Sequence, residues 1–367
     1  MWHHQRGSRK ARTAGRFRIV NTDGRIIGLD IGATAVRAAV LTLTVSDEGH
    51  PVVDSHGLGQ AALPVGAVVN GAVVDSAAVT AALKELWRAH GFTCHNVILG
   101  VNNQQVVVRD LQMPVLPPAQ MAMALPFRAR DIVALPLEQA LIDFMPLGDP
   151  DPATGLQGGL LVAAPRAPVL GAVQAVERAG LHVARVDLSN FAGLRSTARQ
   201  DMAAEAVIDL GAHLSALVIH HHGVPRIVRT IAQGGEVLTR SLVEAMELSR
   251  GDAEWAKIDN GLIGSHAEVV RVLTRAVRPL LAEIRSSIQY FASVSNGGQV
   301  ESVALTGAAA ALPGLGSLLS EQIGVPVRIV APLEHVRHGW RGSRDAHVDD
   351  ERNATAVSVG LAMGAAA

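Results

Sequence analysis

The stretch Ile26–Leu41, which reads IIGLDIGATAVRAAVL, decides how this chain can fold. An apolar run leads into an aspartate, turns over a glycine and other small residues, and continues as a second apolar run. The pattern predicts two buried strands, Ile26–Asp30 and Ala35–Leu43, joined by a tight hairpin. It also raises the question of what a carboxylate does at the tip of a buried hairpin.

The composition of the whole chain indicates an α/β protein with two domains. Its 367 residues are 49% hydrophobic, which is enough for two separate cores, and only 3% are aromatic, so Val, Leu, Ile and Ala must fill those cores. The net charge of −1 does not indicate a nucleic-acid-binding protein. The single cysteine, Cys94, rules out an internal disulfide and suits a reducing cytoplasm. No apolar run approaches the ~18 residues that a membrane span needs.

Residues 1–25 differ from the rest of the chain because they are strongly basic. Their only acid is Asp23, and no apolar stretch follows the charges, so they do not form a secretion signal. Their composition predicts a disordered arm. A second interpretation stays open, in which the arm touches anionic lipid or an acidic partner.

The opening pattern returns in the second half of the chain, where Ala206–Ile219 reads AVIDLGAHLSALVI. The matching positions are Asp30 with Asp209, Gly32 with Gly211 and Ala33 with Ala212. One repeated motif of this kind predicts two related halves and not a repeat array.

The two tips predict a site for phosphate and a divalent cation. Glycine and small residues leave backbone N–H groups uncovered, and these can hold phosphate oxygens. A carboxylate would repel phosphate unless a cation lay between them, and Mg²⁺ uses one or two carboxylates together with water and phosphate. We therefore expect Asp30 and Asp209 to orient a hydrated Mg²⁺ between two facing hairpins. The chain has no P-loop sequence.

Other stretches predict further contacts to such a ligand. Leu305–Leu315, LTGAAAALPGL, is a strand ending in a turn that can approach a purine or ribose, or else a plain strand–helix turn. Gly234 and Gly235 open a helix whose N-terminus favours anions. Glu254 and Lys257 lie three apart on one helix face, which by itself predicts only a solvated ion pair. His220–His222 is predicted to lie in a surface turn and not in a metal site.

With these elements in this order, the chain resembles the actin-like ATPase superfamily and, within it, the PilM family of type IV pilus assembly proteins. The resemblance runs from about Ile26 to Ala367. The stretches that narrow it to this family are Leu135–Gly148, Arg229–Leu242, Gly251–Asp259, Glu283–Phe291 and Leu305–Leu315.

The resemblance implies a duplicated α/β fold of the actin-like, ribonuclease H-like kind, with two domains around a nucleotide cleft. The first domain would span residues 26–202 and carry an inserted lobe at about 103–162, placed as in FtsA. The second would span residues 203–367, with a helical lobe at about 237–299.

The resemblance also implies the residues that hold ATP and Mg²⁺. The magnesium would be bound by Asp30 and Asp209, mainly through water. The nucleotide-binding positions would be Asp30, Gly32, Ala33, Thr34 and Arg37 in the first hairpin, Asp209, Gly211, Ala212 and Ser215 in the second, and Gly234, Gly235, Glu254, Lys257, Gly307 and Ala308 around them.

This sequence differs from the family pattern at positions that affect ATP hydrolysis. One hydroxyl is missing from the first hairpin, Ala308 replaces a glycine, and Ser189 stands where an acid is common. The resemblance therefore implies that ATP is bound with weak or no ATPase activity.

The partner implied by the resemblance is the cytoplasmic N-terminus of the inner-membrane protein PilN. The chain would be cytoplasmic, held at the inner face of the cell membrane through this partner, and would link it to the pilus motor ATPases. The resemblance places the peptide groove between the inserted lobe and the rest of the first domain, with apolar residues in Val106–Met113 and Leu135–Phe144 as candidates for its lining. Two alternatives remain. A sugar-type kinase lacks a convincing catalytic aspartate here, and an FtsA-like division anchor would need an amphipathic C-terminal membrane helix.

Overall fold

A computed structural model describes residues 24–45, 51–295, 298–332 and 354–366. The predicted basic arm lies outside the described residues apart from Gly24 and Arg25. Among the described residues, no helix is both long enough and apolar enough to cross a membrane.

Fifteen strands are described. They are β1 Ile26–Ile31, β2 Ala35–Val45, β3 Pro51–Ala62, β4 Val68–Val69, β5 Ala72–Val73, β6 Asn96–Val101, β7 Val107–Pro114, β8 Ala140–Pro146, β9 Leu156–Pro165, β10 His182–Leu188, β11 Glu205–Leu210, β12 Ser215–His221, β13 Val224–Ile231, β14 Ser302–Thr306 and β15 Val327–Ile329.

The described helices surround these strands. They are α1 Ser76–His90, α2 Pro118–Ala129, α3 Arg166–Arg178, α4 Ser189–Thr197, α5 Gly235–Met246, α6 Arg250–Asn260, α7 Ala267–Val294, α8 Leu315–Ile323 and α9 Ala356–Met363, with short 3₁₀ turns at Leu137–Gln139 and Gly364–Ala366.

Two five-stranded sheets share one topology. The first has the order β3-β2-β1-β6-β10 and the second the order β13-β12-β11-β14-β15. In each, the first three strands form an antiparallel meander, and the last two run parallel to the strand that carries the aspartate. This repeated order confirms the predicted duplication of an α/β unit.

The inserted lobe is a small unit with its own apolar cluster. Its sheet has the order β7-β9-β8, and α2 covers one face. Met113, Leu125 and Leu161 are buried in that cluster. Pro126 lies inside α2 near its C-terminal end, so the proline is accommodated within a continuous helix.

The final helix, α9, lies on the first sheet although it falls in the range 203–367 that we expected to form the second domain. A side chain on Gly28 of β1 would approach the carbonyl oxygen of Ser358 in α9 to 1.8 Å, so the strand and the helix pack backbone to backbone. Arg195 on α4 donates to the carbonyl oxygen of Gly360 at 2.9 Å. The domain boundaries themselves remain predictions.

Two local expectations were wrong. Pro279 in the sequence predicts an interruption of the helical segment that starts near Ala267, because proline removes a backbone hydrogen bond, but this segment is one helix of 28 residues that continues through Pro279. His220 is fully buried instead of lying at the surface, and its Nε2 is 3.4 Å from the buried carboxylate of Glu205. His221 and His222 are exposed, as expected.

Candidate nucleotide-binding site

The two hairpins have the same construction. Asp30 pairs with Arg37 across the first hairpin, and Asp209 pairs with Ala216 across the second, so each aspartate occupies the same register position one residue before its strand ends. The turn of the first is closed by the amide of Gly32, which donates to the carbonyl oxygen of Ala35 at 3.0 Å. Both aspartates line one cleft between the sheets.

The turns also bring most of the other predicted hairpin residues to this cleft. Its lining includes Gly32, Ala33, Thr34, Arg37, Gly211 and Ala212. A side chain at Gly211 would approach the carbonyl oxygen of Leu214 to 2.5 Å. The tight turn therefore requires glycine at this position.

The two carboxylates are electrostatically unfavourable in the ligand-free cleft. Burial raises the pKa of Asp30, and the charge of Arg37 partly offsets this. Burial, and then the nearby charge of Asp30, raise the pKa of Asp209 from 3.8 to about 7, again partly offset by Arg37. Two carboxylates that repel each other in a cleft are suited to a divalent cation, which would relieve the repulsion.

Arg37 provides an independent sign of an anionic ligand. Its Nε is buried and has no hydrogen-bond partner among the described residues. Because leaving a buried charged donor unpaired is costly, the geometry suits a phosphate oxygen at this point.

A third wall of the cleft comes from the turn after β14. Gly307 has a φ of +93°, and a Cβ there would lie 2.1 Å from Oδ1 of Asp209, so the glycine allows the carboxylate its position. Ala308 also lines the cleft and is exposed. Both residues therefore lie at the cleft, and their contact with a purine or ribose stays a prediction.

Five predicted residues do not line the cleft, and three of them, Ser215, Gly234 and Gly235, lie behind the second hairpin. Ser215 is buried, and its hydroxyl donates to the carbonyl oxygen of Gln233 at 2.7 Å, so it joins β12 to the segment after β13. Gly234 and Gly235 pack against the second hairpin from behind. The amides of Gly235 and Glu236 donate to the carbonyl oxygens of Gly211 and Ala212 at 3.0 and 2.9 Å. We expected the N-terminus of this helix to offer free N–H groups to an anion. The amides of Gly235 and Glu236 are not free, so the expectation is wrong for these two amides.

Glu254 and Lys257 form a polar network beside the cleft. Lys257 Nζ is 2.7 Å from the Glu254 carboxylate and donates to the hydroxyl of Thr239 at 2.9 Å, and that hydroxyl donates to Glu254 at 2.6 Å. Lys257 Nζ would lie 3.7 Å from a Cβ on Gly235. The pair is thus more than a solvated surface contact, although neither residue lines the enclosed part of the cleft.

Sequence reasoning missed part of the lining. Asn102, His213 and Gly71 line the cleft together with Ser189. Asn102 directly follows β6, which is parallel to β1, and polar residues after parallel strands collect at one sheet edge, so this position could have been found. Gly71 approaches through the β4–β5 turn, which the sequence did not reveal.

The cleft is narrow. Its cavity of about 90 Å³ suits a hydrated cation and part of a phosphate chain, whereas pockets for whole small ligands usually hold at least about 300 Å³. The enclosed part of the cleft is therefore smaller than a complete nucleotide.

A second and larger cavity, about 1250 Å³, lies away from the cleft between the inserted lobe and the second sheet. We call it the lobe groove. Its walls are β7, β13 and the C-terminal end of α7, with Val106, Val108, Tyr290 and Val294 among the lining residues. The cavity lies against the second sheet and α7, whereas we expected the groove between the lobe and the rest of the first domain, and of the two predicted groove segments residues 106–110 contribute to it. Residues 135–144 do not, because several of their apolar side chains pack inside the lobe.

Comparison with known proteins gives the family. A family model described as type IV pilus assembly protein PilM matches residues 28–366. The solved structure of a PilM–PilN type IV pilus biogenesis complex superposes with a TM-score of 0.77 at 25% identity, covering 92% of this chain and 97% of that one.

Two further proteins, one compared by sequence and one by structure, are also similar to this chain. Cell division protein FtsA of Bacillus subtilis (strain 168) is 22% identical over 360 aligned residues, covering 85% of this chain and 80% of FtsA. The ethanolamine utilization protein EutJ of Carboxydothermus hydrogenoformans superposes with a TM-score of 0.53 at 16% identity, covering 92% of this chain and 88% of EutJ. The chain therefore belongs to the PilM family of type IV pilus assembly proteins and has their duplicated, actin-like α/β fold.

Proposed function

We propose that this chain binds ATP with Mg²⁺ between its two hairpins and, in the cytoplasm, holds the N-terminal tail of a PilN-like inner-membrane protein in the lobe groove. The observation that carries the nucleotide part is the pair Asp30 and Asp209 at one cleft, beside the unpaired buried Nε of Arg37.

Each element of the cleft has a role in this proposal. A bound Mg²⁺ would neutralise phosphate charge, and Asp30 and Asp209 would orient the water molecules around it. Arg37 would pair with a phosphate oxygen, and the hairpin amides would hold the others. Ser189 lines the cleft with a hydroxyl and not a carboxylate, which supports weak or absent hydrolysis.

Calorimetric titration of the protein with ATP, once in buffer with Mg²⁺ and once in buffer with EDTA, tests the nucleotide site. We expect Asp30→Ala and Asp209→Ala each to weaken Mg²⁺-dependent binding at least a hundredfold while the circular dichroism spectrum stays native. The matched control is Asp149→Ala, an exposed loop carboxylate, which should bind as the wild type does. Unchanged affinity in both cleft variants would contradict the assignment.

The partner proposal rests on the lobe groove. Two of its walls, β7 and β13, are edge strands of their sheets, and edge strands carry backbone N–H and C=O groups that an extended peptide can pair with. Tyr290 and Val294 add exposed apolar surface on the α7 wall, at 51% and 54% exposure. Similarity to the PilM–PilN complex supports a tail of the PilN kind as occupant.

Fluorescence anisotropy with a labelled peptide copied from a PilN-like cytoplasmic tail tests the groove. Val294→Asp should weaken binding at least tenfold, because it buries a charge against the peptide. Val74→Asp, at a site 68% exposed and outside the groove lining, is the control. Equal affinities for the two variants would remove the groove from the proposal.

The place of the protein in the cell follows from the same partner. We propose attachment to the inner face of the cell membrane through the tail, with the pilus motor ATPases as further partners. The chain should appear in the membrane fraction only when the PilN-like protein is co-expressed. Membrane association without it would contradict an indirect attachment.

A further inference from the structure

The solvent-facing side of α7 carries a row of basic side chains, here called the arginine stripe. Its members are Arg271, Arg275, Arg278 and Arg285, and all four are exposed. Because an α-helix repeats every 3.6 residues, their spacing places them on one face. The buried residues of α7 lie on the opposite side of the helix. At about 1.5 Å per residue, the stripe is about 21 Å long.

Most of this positive charge is not neutralised within the described part of the chain. Arg275, Arg278 and Arg285 form no ion pair with another described residue, and Arg271 pairs with Glu268. The only other acid of α7, Glu283, lines the lobe groove, which lies on a different side of the helix. The stripe therefore presents at least three guanidinium groups that can bind anions.

The residues among the arginines indicate what kind of anion fits. Ala282, Ser286 and Gln289 share this face of α7 and are small or polar, and all three are exposed. Protein–protein interfaces usually contain a core of aromatic or aliphatic side chains, which this face does not offer. A membrane surface needs no such core, because its phosphate groups are bound by guanidinium groups that reach into the headgroup layer.

The stripe also lies beside the lobe groove. Tyr290 and Val294, near the C-terminal end of α7, line that groove. Arg285 lies five residues before Tyr290, which is about 8 Å along the helix axis. In the proposed function the groove holds a tail that emerges from the cell membrane, so a bound tail brings this part of α7 close to the headgroups. This step rests on the proposed function, whereas the charge of the stripe does not.

We propose that the arginine stripe binds anionic lipid headgroups and thereby orients the tail-bound chain on the membrane. A cation near an anionic membrane surface typically strengthens binding about fivefold, so a stripe of this size is a weak contact by itself. Once the tail is bound, the second contact forms within one complex and adds to the first. Attachment in the cell therefore still depends on the partner.

Flotation of the full chain with vesicles at low ionic strength tests the stripe. Vesicles of phosphatidylcholine with phosphatidylglycerol should bind the wild type, and vesicles of phosphatidylcholine alone should not. The double variant R278E/R285E should bind the anionic vesicles at least tenfold more weakly, whereas R278K/R285K should bind like the wild type. The matched control is R88E/R178E, which changes the charge equally at two exposed arginines of α1 and α3. Every variant retains the basic arm, so differences between them report on the stripe.

A second measurement separates this proposal from the proposed function. Anionic vesicles that carry a lipid-linked tail peptide should bind the wild type more tightly than phosphatidylcholine vesicles with the same peptide, and R278E/R285E should lose this difference. Its affinity for the free peptide, measured by fluorescence anisotropy, should equal that of the wild type. A wild type that binds anionic vesicles but not the free peptide would contradict the proposed function alone. Equal binding of R278E/R285E and the wild type to anionic vesicles, or an equal loss in R88E/R178E, would overturn the role of the stripe.

Discussion

Gly307 shows how a residue without a side chain positions a carboxylate. It lies in the left-handed region, and its Cα packs so closely against Asp209 that a methyl group would overlap Oδ1. Asp209 is buried next to Asp30, which is electrostatically unfavourable, and the nearby backbone leaves its carboxylate little room to move away. In the terms of our proposal, glycine at this position preorganises the cation site.

Gly307→Ala should displace the Asp209 carboxylate, weaken Mg²⁺–ATP binding at least tenfold and lower stability by about 2–4 kcal/mol. The measurements are calorimetric titration and urea unfolding. Gly66→Ala is the control, since Gly66 has a similar φ of +84° but nothing within 4 Å of its added methyl group. It should cost only about 1 kcal/mol and leave binding unchanged. Equal effects of the two substitutions would mean that backbone strain alone, and not contact with Asp209, causes the loss of binding and stability.

At the scale of elements, the buried carboxylate of Glu205 forms polar contacts with residues on three other strands of the second sheet. Glu205 on β11 contacts Ser302 on β14 at 3.0 Å, Arg328 on β15 at 3.1 Å and His220 on β12 at 3.4 Å. Burial by itself would raise the pKa of Glu205, but the His220 hydrogen bond, the Arg199 backbone amide and Arg328 outweigh it and lower the pKa to about 2.

The lowered pKa predicts a loss of stability in acid. In the unfolded chain the group titrates near 4.5, so its contribution is complete above pH 4.5 and disappears as the pH falls towards 2. A shift of this size corresponds to about 3 kcal/mol. Urea unfolding between pH 7 and 3 should show about 2 kcal/mol of this loss in the wild type and none of it in Glu205→Gln. Glu85→Gln, in an exposed ion pair, should follow the wild type. Parallel profiles for E205Q and the wild type would contradict the prediction.

The final helix, α9, depends on glycine for its contact with the first half. A side chain on Gly360 would approach the carbonyl oxygen of Ala192 in α4 to 1.7 Å, and α9 also touches Gly28 of β1 from its other side. The helix therefore fits between a strand and a helix only without side chains at these points.

Gly360→Ala should destabilise the protein by about 3 kcal/mol or more, because backbone atoms that cannot move aside occupy the space. Gly171→Ala is the matched control, since Gly171 lies inside α3 with nothing within 4 Å. Alanine there should stabilise the helix by up to about 1 kcal/mol. Thermal unfolding compares the two, and a neutral G360A would show that α9 does not need this close contact.

At the scale of the whole molecule, the cleft and the lobe groove share structural elements. Asn102 lines the cleft, and its Oδ1 accepts a hydrogen bond at 2.9 Å from Thr230, which lines the groove. Asn190 on α4 donates to the carbonyl oxygen of Arg229 at 3.0 Å on the same strand. That strand, β13, runs on to Gly234, which packs on the second hairpin. A movement of the two halves relative to each other would therefore also change the position of β13, which is one wall of the groove.

This connection predicts that ATP changes the affinity for the PilN-like tail, by a factor of about 5 or more in line with typical coupling free energies. Thr230→Val removes the hydrogen bond to Asn102 and should reduce that factor at least twofold. The measurement is peptide affinity with and without Mg²⁺–ATP. Thr80→Val, which removes a hydroxyl bond to Ala175 inside the first half, should leave the factor unchanged. If ATP changed the peptide affinity of T230V by the same factor as in the wild type, the hydrogen bond between Thr230 and Asn102 would not carry the coupling.

The amino-acid sequence by itself determined the two hairpins, their aspartates and the duplication. These features are local, because a strand alternates with a period of two, a tight turn demands glycine, and a repeated motif implies a repeated unit. It also determined the resemblance that led to the family. Gly307 and Ala308 were predictable for the same reason, since a buried strand ending in Thr-Gly marks a close backbone approach.

Only the tertiary structure decided which elements meet. Local pattern does not reveal that His220 faces Glu205, that the amides after Gly234 are already bonded to the second hairpin, or that α9 returns to the first sheet. The position of the lobe groove was equally hidden, because its walls come from segments more than 100 residues apart. Such contacts depend on how whole faces pack and not on the spacing of residues along the chain, since burial and backbone hydrogen bonds must be satisfied for all elements at once.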